Sequence, residues 1–276
     1  MADITIVTHE GAPGGLPDDR LLAEAFARQG AQARFAVWSD AAVDWSAAPR
    51  AVIRSTWDYF NRTAEWFDWI TRAGASTDVA NGWPIIRWNS DKRYLGELAA
   101  AGVSCVPTKF AAAGDRLEPI IAREGWVDLI IKPAIAGGAK GARRFAAHDR
   151  DAAQAHLDAL TTDCVALIQP FMAAVETSEE RSLVFIDGGF SHAWRKPAFN
   201  NIPRDYAPHH PSTEEMALAR QAIGAVGAPL AYARADMIAG YEGPMLMELE
   251  LIEPDLGLRL NPLAADALAA ACLANR

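Results

Sequence analysis

LAYARADMIAGYEGPMLMELELIEPDL, residues 230–256, is the stretch whose reading decides the fold. It reads as two adjacent strands, roughly Ala231 to Ala239 and Met245 to Leu251, joined by Tyr-Glu-Gly-Pro. Turn chemistry between two such runs predicts a hairpin. Side chains at i and i+2 of a strand share a face. Arg234 therefore shares a face with Asp236, and Glu248 with Glu250. If the register brings these faces together, three carboxylates and one guanidinium converge. Carboxylates on a packed sheet repel one another unless a cation lies between them, and hard oxygen ligands suit Mg²⁺. The alternative is a pair of amphipathic strands with solvated acidic faces, and the rest of the chain has to decide between the two.

Apolar residues make up 51% of the 276, enough for a sizeable core in one large domain or a few small ones. A net charge of −9 and a pI near 5.2 argue against nucleic acid and against an anionic membrane surface as partners. Cys105, Cys164 and Cys272 are scattered and form no CxxC pair. That usage argues against a disulfide framework or zinc site and for a reducing, cytoplasmic setting. Met1 to Val7 leads straight into a strand, so no secretory leader is expected. No apolar run approaches the roughly 20 residues that span a bilayer.

Strand–helix–strand alternation over Ile4–Thr8, Pro17–Gln29 and Gln32–Val37, with a further strand at Ala51–Arg54, predicts an α/β start with a parallel sheet. Arg54-Ser-Thr-Trp-Asp-Tyr follows that last strand, where open α/β sheets bind ligands. Arg54 is thus a candidate substrate residue; the competing reading is a structural Arg54–Asp58 ion pair. Pro84–Trp88 reads as extended, with a helix from Asn89 or Ser90 to about Ala101. Lys132-Pro then leads into Ala-Ile-Ala-Gly-Gly-Ala-Lys-Gly, residues 134–141, a glycine-rich loop between strands. Neither GxxxxGK[ST] nor GxGxxG is present. Gly137, Gly138 and Gly141 would still let backbone N–H groups approach phosphate oxygens, with Lys132, Lys140 and Arg143 nearby. Asp187-Gly188 predicts a second hairpin, Ser212 with Glu215 a capping box, and the long irregular segment 200–211 a lid or binding loop.

The order of VIRSTWDY (52–59), RWNSDKRYL (87–95), IIKPAIAGGAKGARRF (130–145), LIQPF (167–171), EERSLVFIDGGFSHAWRKP (179–197) and RADMI…MELELIEP (234–254) resembles the ATP-grasp superfamily of carboxylate–amine ligases. The glutathione-synthetase-like subgroup is the most similar, and within it the cyclo-ligases of cycloserine biosynthesis, which close O-ureido-D-serine. The resemblance implies an ATP-grasp fold behind an N-terminal parallel α/β domain. Residues 1–90 would form the substrate domain, 91–170 the small subdomain with its glycine-rich lid, and 171–276 the subdomain with the metal site. It further implies ATP and one or two Mg²⁺ ions, with Mn²⁺ able to substitute. Lys92 and Lys132 would contact phosphates under the lid at Gly137 and Gly138. Gln169, Pro170, Phe171 and Met172 would hold adenine, and Glu180, with Glu176 as rival, the ribose. Lys196 would approach the γ-phosphate, Arg234 would stabilise the oxyanion, and Asp236, Glu248 and Glu250 would hold the metal. Arg54, Asp58 and Asn89 would meet the substrate.

Two departures from the family pattern stand out. Glu250 replaces the usual Asn, and Glu179 replaces a residue that is commonly small. A ligase using an acyl phosphate needs charge neutralisation and exclusion of water, and no His or Cys nucleophile. His192 is accordingly read as strand filler, with a substrate contact as the alternative, and Cys105 and Cys164 as small apolar core residues. The partners expected are a small carboxylate and an amine, joined within one molecule or between two, on a chain that could be a homodimer or homotetramer. A ligase acting on a peptide or protein terminus and a non-catalytic nucleotide-binding protein are the alternatives.

Overall fold

In the computed structural model, residues 3–177, 179–196 and 206–274 are described. The N-terminal unit alternates as expected. β1 (Ile4–Thr8), α1 (Pro17–Arg28), β2 (Ala33–Val37), β3 (Arg50–Ser55), α2 (Thr63–Gly74) and β4 (Asp78–Val79) build a parallel sheet of order β2-β1-β3-β4. β1 is buried along its whole length, as strands covered on both faces are. Trp38, Trp45, Trp66 and Trp69 fill the space between this sheet and α2.

Two short helices follow, α3 (Trp83–Asn89) and α4 (Tyr94–Ala100). The extended reading of 84–88 is corrected here. Gly82 turns the chain at φ 77° and Pro84 sits in the first helical turn, where its missing N–H is harmless. The apolar pattern Trp-Pro-Ile-Ile is too short to separate a strand from a buried helix turn.

A second sheet, of order β5-β8-β6-β7, is antiparallel: β5 (Lys109–Ala111), β6 (Leu129–Pro133), β7 (Arg143–Phe145) and β8 (Ala166–Pro170). It is backed by α5 (Leu117–Glu124) and α6 (Arg150–Thr161), and the glycine-rich loop joins β6 to β7. After the single turn α7 (Ala174–Thr177) comes the third sheet, order β11-β10-β9-β12-β13, also antiparallel. Its strands are β9 (Glu180–Ile186), β10 (Gly189–Lys196), β11 (Ala207–Pro208), β12 (Tyr232–Ala239) and β13 (Pro244–Glu250). α8 (Thr213–Ala225) begins in the expected capping box of Ser212 with Glu215, and α9 (Ala264–Leu273) closes the chain. Asp187 and Gly188 both take positive φ, the turn their sequence predicts for the β9–β10 hairpin. Residues 200–205 of the expected lid segment lie outside the described residues.

The N-terminal unit is bound to the third sheet through polar clamps as well as through packing. Asn81, buried at φ 69°, donates to the carbonyls of Tyr232 and Leu251 and accepts from the Ala231 N–H. The Tyr232 hydroxyl lies within hydrogen-bond distance of the carbonyls of Ile53 and Ile252.

Candidate active site

The hairpin reading of residues 230–256 holds, and its register brings the two charged faces together. Arg234 lies directly opposite Glu250, and Asp236 directly opposite Glu248. The charges therefore meet on one face of the sheet. On the far side of β12, Ser182 of β9 pairs with Asp236 in register and donates its hydroxyl to Oδ1 at 2.7 Å. Lys196 and Glu180 pair across β9 and β10. Lys132 reaches this face from β6 of the facing sheet, and Lys92 from the segment before α4.

Each carboxylate is engaged by a cation. Arg234 grips Asp236 with two parallel bonds of 2.8 and 2.9 Å and reaches Glu250 at 2.6 Å. Lys196 bridges Glu180 at 2.5 Å and Asp236 at 3.3 Å. Lys132 lies 3.2 Å and Lys92 3.9 Å from Glu248. Lys92 also donates to the Ala136 carbonyl of the glycine-rich loop. Burial opposes the charge of Asp236, yet Arg234 and Lys196 hold its carboxyl below the usual range. The same contest leaves Glu248 lowered, by Lys92 and Lys132. Glu250 is raised, because burial and the neighbouring carboxylates outweigh Arg234. Burial also pushes Glu180 up, to about 7, against the pull of Lys196.

Four cations from four segments thus balance a set of oxygen donors. Among the described residues no three His, Cys, Asp or Glu side chains stand together as a ready metal cluster, since each carboxylate turns to its Lys or Arg. The donor set consists of carboxylate oxygen throughout, which fits a hard divalent cation and excludes a soft one.

Other sequence candidates fall in different places. Gln169, buried at the end of β8, donates to Thr108. Phe171 and Met172 follow it and pack with Val106, Ile238, Met245 and Met247. Glu176 points outward to Arg144, whose guanidinium lies 3.4 Å from the Phe171 ring centre. In the glycine-rich loop, Gly138 and Gly141 have positive φ. A Cβ on Gly137 would come within 2.7 Å of the Phe60 ring, so this loop lies against the N-terminal unit. Lys140 strengthens that contact by bonding Asn61.

Three expected substrate residues separate. Arg54 is 2% exposed and donates to the Pro254 carbonyl at 3.0 Å. The Arg54–Asp58 pair is absent; Asp58 instead accepts from Trp38 Nε1 and Arg62. Asn89 uses both ends of its amide on β13, donating to the Leu249 carbonyl and accepting from the Leu251 N–H. These two bonds fall on either side of Glu250. His192 fits the structural reading, with a ring nitrogen 2.9 Å from the Leu256 carbonyl. Cys105 and Cys164 are only half-buried, contrary to the expected core placement; Cys272 is the buried one.

Sequence reasoning missed the segment after β13. Asp255 accepts from Tyr206, the Gly257 N–H and Arg259, which hold it down to about 2 despite burial. Its carbonyl accepts from Arg234. Glu253 is raised to about 8 by burial and then by Glu250. The signal available was the odd acidic run Glu-Pro-Asp directly after a strand.

A parallel α/β unit, two antiparallel sheets facing one another and this charged seam between them define an ATP-grasp ligase. Comparisons with known proteins agree. Residues 4–81 match the family model described as the N-terminal domain of D-cycloserine synthetase DcsG. The chain is 32% identical over 263 residues to the cycloserine biosynthesis protein DcsG of Streptomyces lavendulae, covering 87% of each. The crystal structure of D-cycloserine synthetase DcsG superposes with a TM-score of 0.89 at 30% identity, covering 98% of both chains. The D-alanine–D-alanine ligase of Bacillus anthracis shares the fold, with a TM-score of 0.66 at 12% identity over 99% of this chain and 96% of that one. The chain belongs to the DcsG family of ATP-grasp proteins and is an ATP-dependent ligase. No helix among the described residues is long and apolar enough to cross a membrane.

Proposed function

We propose that this ligase uses ATP to phosphorylate the carboxylate of a small amino-acid-like molecule and closes the acyl phosphate onto an amine-type nitrogen of the same molecule. The observation that carries this reading is the register of β12 on β13, which sets Arg234 and Asp236 against Glu250 and Glu248. The relatives are named for cycloserine, which supports ring closure within one substrate; O-ureido-D-serine is the candidate that the sequence resemblance implies.

Lys92, Lys132 and Lys196 exchange their carboxylate partners for phosphate oxygens when ATP enters. Glu248 is then released, and together with Asp236 and Glu250, which Arg234 still holds, it would hold Mg²⁺, or Mn²⁺ in its place, which would supply charge neutralisation at the phosphates. Adenine lies at Gln169 to Met172 against the Val106, Ile238 and Met247 cluster. Glu180, turned into the site, serves the ribose better than Glu176, turned out of it. Arg234 is fixed by Asp236, Glu250 and the Asp255 carbonyl, so its remaining charge is preorganised for the oxyanion of the tetrahedral step. The glycine-rich loop, seated on Phe60, keeps water from the acyl phosphate. This reading needs no nucleic-acid or membrane partner, and places the enzyme in the cytoplasm.

ADP release is measured with ATP and Mg²⁺ across amino acids, ureido compounds and O-ureido-D-serine, with mass spectrometry of the products. A cyclised product is expected. If no compound on the panel stimulates ADP release, or if the product is always intermolecular, the proposal is wrong.

A further inference from the structure

Arg144 is the middle residue of β7, the strand through which the glycine-rich loop returns to the second sheet. Register fixes the face it occupies. Ile130 of β6 pairs with Arg144 on one side and with Gln169 of β8 on the other. Paired residues share a face, so Arg144, Ile130 and Gln169 form a row across the sheet. Lys132, two residues after Ile130, is on that face too, and it reaches Glu248 of the third sheet at 3.2 Å. The row therefore looks onto the charged seam, with Arg144 at the open edge of the sheet.

Three groups meet Arg144 there. Its Nη2 donates to Asp128 and its Nη1 to Glu176, both at 2.9 Å, and its guanidinium carbon lies 3.4 Å from the centre of the Phe171 ring. Phe171 is tied a second time, because its N–H donates to the Asp128 carbonyl at 2.9 Å. Asp128 in turn accepts from the Ala147 N–H, just beyond β7. One side chain thus joins the return of the glycine-rich loop to the segment from Phe171 to Glu176. Its ion pairs add little to stability, since the side chains of Arg144, Asp128 and Glu176 are 44%, 28% and 59% exposed. The stack is the specific part. A guanidinium is planar and weakly hydrated, so it can cover an aromatic ring while its nitrogens stay bonded at the edge. Phe171 also packs against Val106, Val175 and Ile238, so Arg144 completes the enclosure of that ring.

We propose that Arg144 is a positioning residue for the nucleotide base: it acts through the Phe171 ring, which it holds in place for adenine, and takes no part in binding the phosphates. The proposal rests on the reading that places adenine at Gln169 to Met172. Loss of Arg144 then weakens ligands that carry the base and spares ligands that carry phosphates alone.

The test is calorimetric titration of the full chain with ADP and with inorganic tripolyphosphate, both in Mg²⁺. ADP is expected to bind Arg144→Met about fivefold more weakly than the parent chain, the size of one cation–π contact, while tripolyphosphate changes by less than about twofold. Phe171→Leu closes a double-mutant cycle. With the ring gone, adding Arg144→Met should weaken ADP by less than about twofold more, because the group it acts through is absent. Unchanged ADP binding in Arg144→Met, equal losses for ADP and tripolyphosphate, or a loss undiminished in the Phe171→Leu chain overturns the proposal. If tripolyphosphate does not saturate the parent chain, the cycle with Phe171→Leu decides alone. ADP that binds parent and Arg144→Met alike leaves the ligase reading standing, whereas ADP that fails to bind the parent chain overturns that reading and this inference together.

Discussion

Glu248 and Asp236 face each other across the hairpin, yet they differ in what else they hold. Glu248 is engaged by two lysines that reach it from outside its own sheet, whereas Asp236 is gripped bidentately by Arg234 inside the sheet. Glu248→Gln is therefore the cleaner probe, with substrate-stimulated ADP release expected to fall at least a hundredfold while circular dichroism stays unchanged. Retention of near-normal turnover would remove Glu248 from the metal site. Asp236→Asn is expected to abolish turnover and also to destabilise, since breaking a buried pair costs about 3–5 kcal/mol. Glu250→Asn should keep partial activity, as Arg234 retains Asp236 and the Asp255 carbonyl. A pH prediction attaches to Glu253. Its carboxyl is raised to about 8 from an ordinary 4.5. The folded state thus holds a proton that the unfolded state releases, so this stability is complete below about pH 4.5 and lost as pH rises through about 8. In EDTA and without nucleotide, Glu253→Gln should match the parent Tm at pH 4.5 and exceed it at pH 9; equal values at both would contradict the shift. The hairpin residues were legible because a two-residue period fixes which side chains share a face. The tasks of Asn81 and Asn89 were not, because their partners on β12 and β13 lie 150 or more residues away in sequence.

Local backbone geometry explains one departure from the family pattern. Glu179, just before β9, has φ 58°, in the left-handed region that favours glycine. Its ion pair with Arg195 is half-exposed and contributes little against that strain. Glu179→Gly should leave activity intact and change stability by no more than about 1 kcal/mol, whereas a β-branched Glu179→Val should lower Tm clearly. A Tm drop of similar size in both would mean that the side chain, not the backbone, matters there. The glycine-rich loop makes a second element-scale case. Its glycines were legible as phosphate-binding candidates, but the contact of Gly137 with Phe60 was not, since the two lie in different units. Gly137→Ala is expected to weaken loop closure and raise KM for ATP about tenfold, and Phe60→Leu in the same chain should restore much of it. The extended reading of 84–88 failed for a different reason: four apolar residues fit a strand as well as one turn of helix, and only the docking of Ile86 into the Trp-rich core selects the helix.

At the scale of the whole molecule, sheet composition was readable from strand order and glycine placement, but the way the units share a core was not. One apolar cluster joins Ile4, Ile6 and Val52 of the first sheet to Val184, Trp194 and Tyr232 of the third and to Leu268 and Ala269 of α9. The last helix of the chain therefore packs on the first, with Arg28 bonded to Asp266 across the contact. Arg50, at the start of β3, donates to the carbonyls of Cys272, Leu273 and Ala274, which a helix C-terminus leaves open. A core shared in this way predicts that the N-terminal unit does not melt by itself. Arg50→Met should lower stability by about 1–2 kcal/mol, a shift of about 2–8 °C in a chain of this size. The whole calorimetric transition should move together, because loosening α9 weakens the packing of both the first and third sheets. Two resolved transitions in the variant, with the N-terminal unit melting first, would show instead that the shared cluster does not couple them, and that α9 serves the third sheet alone.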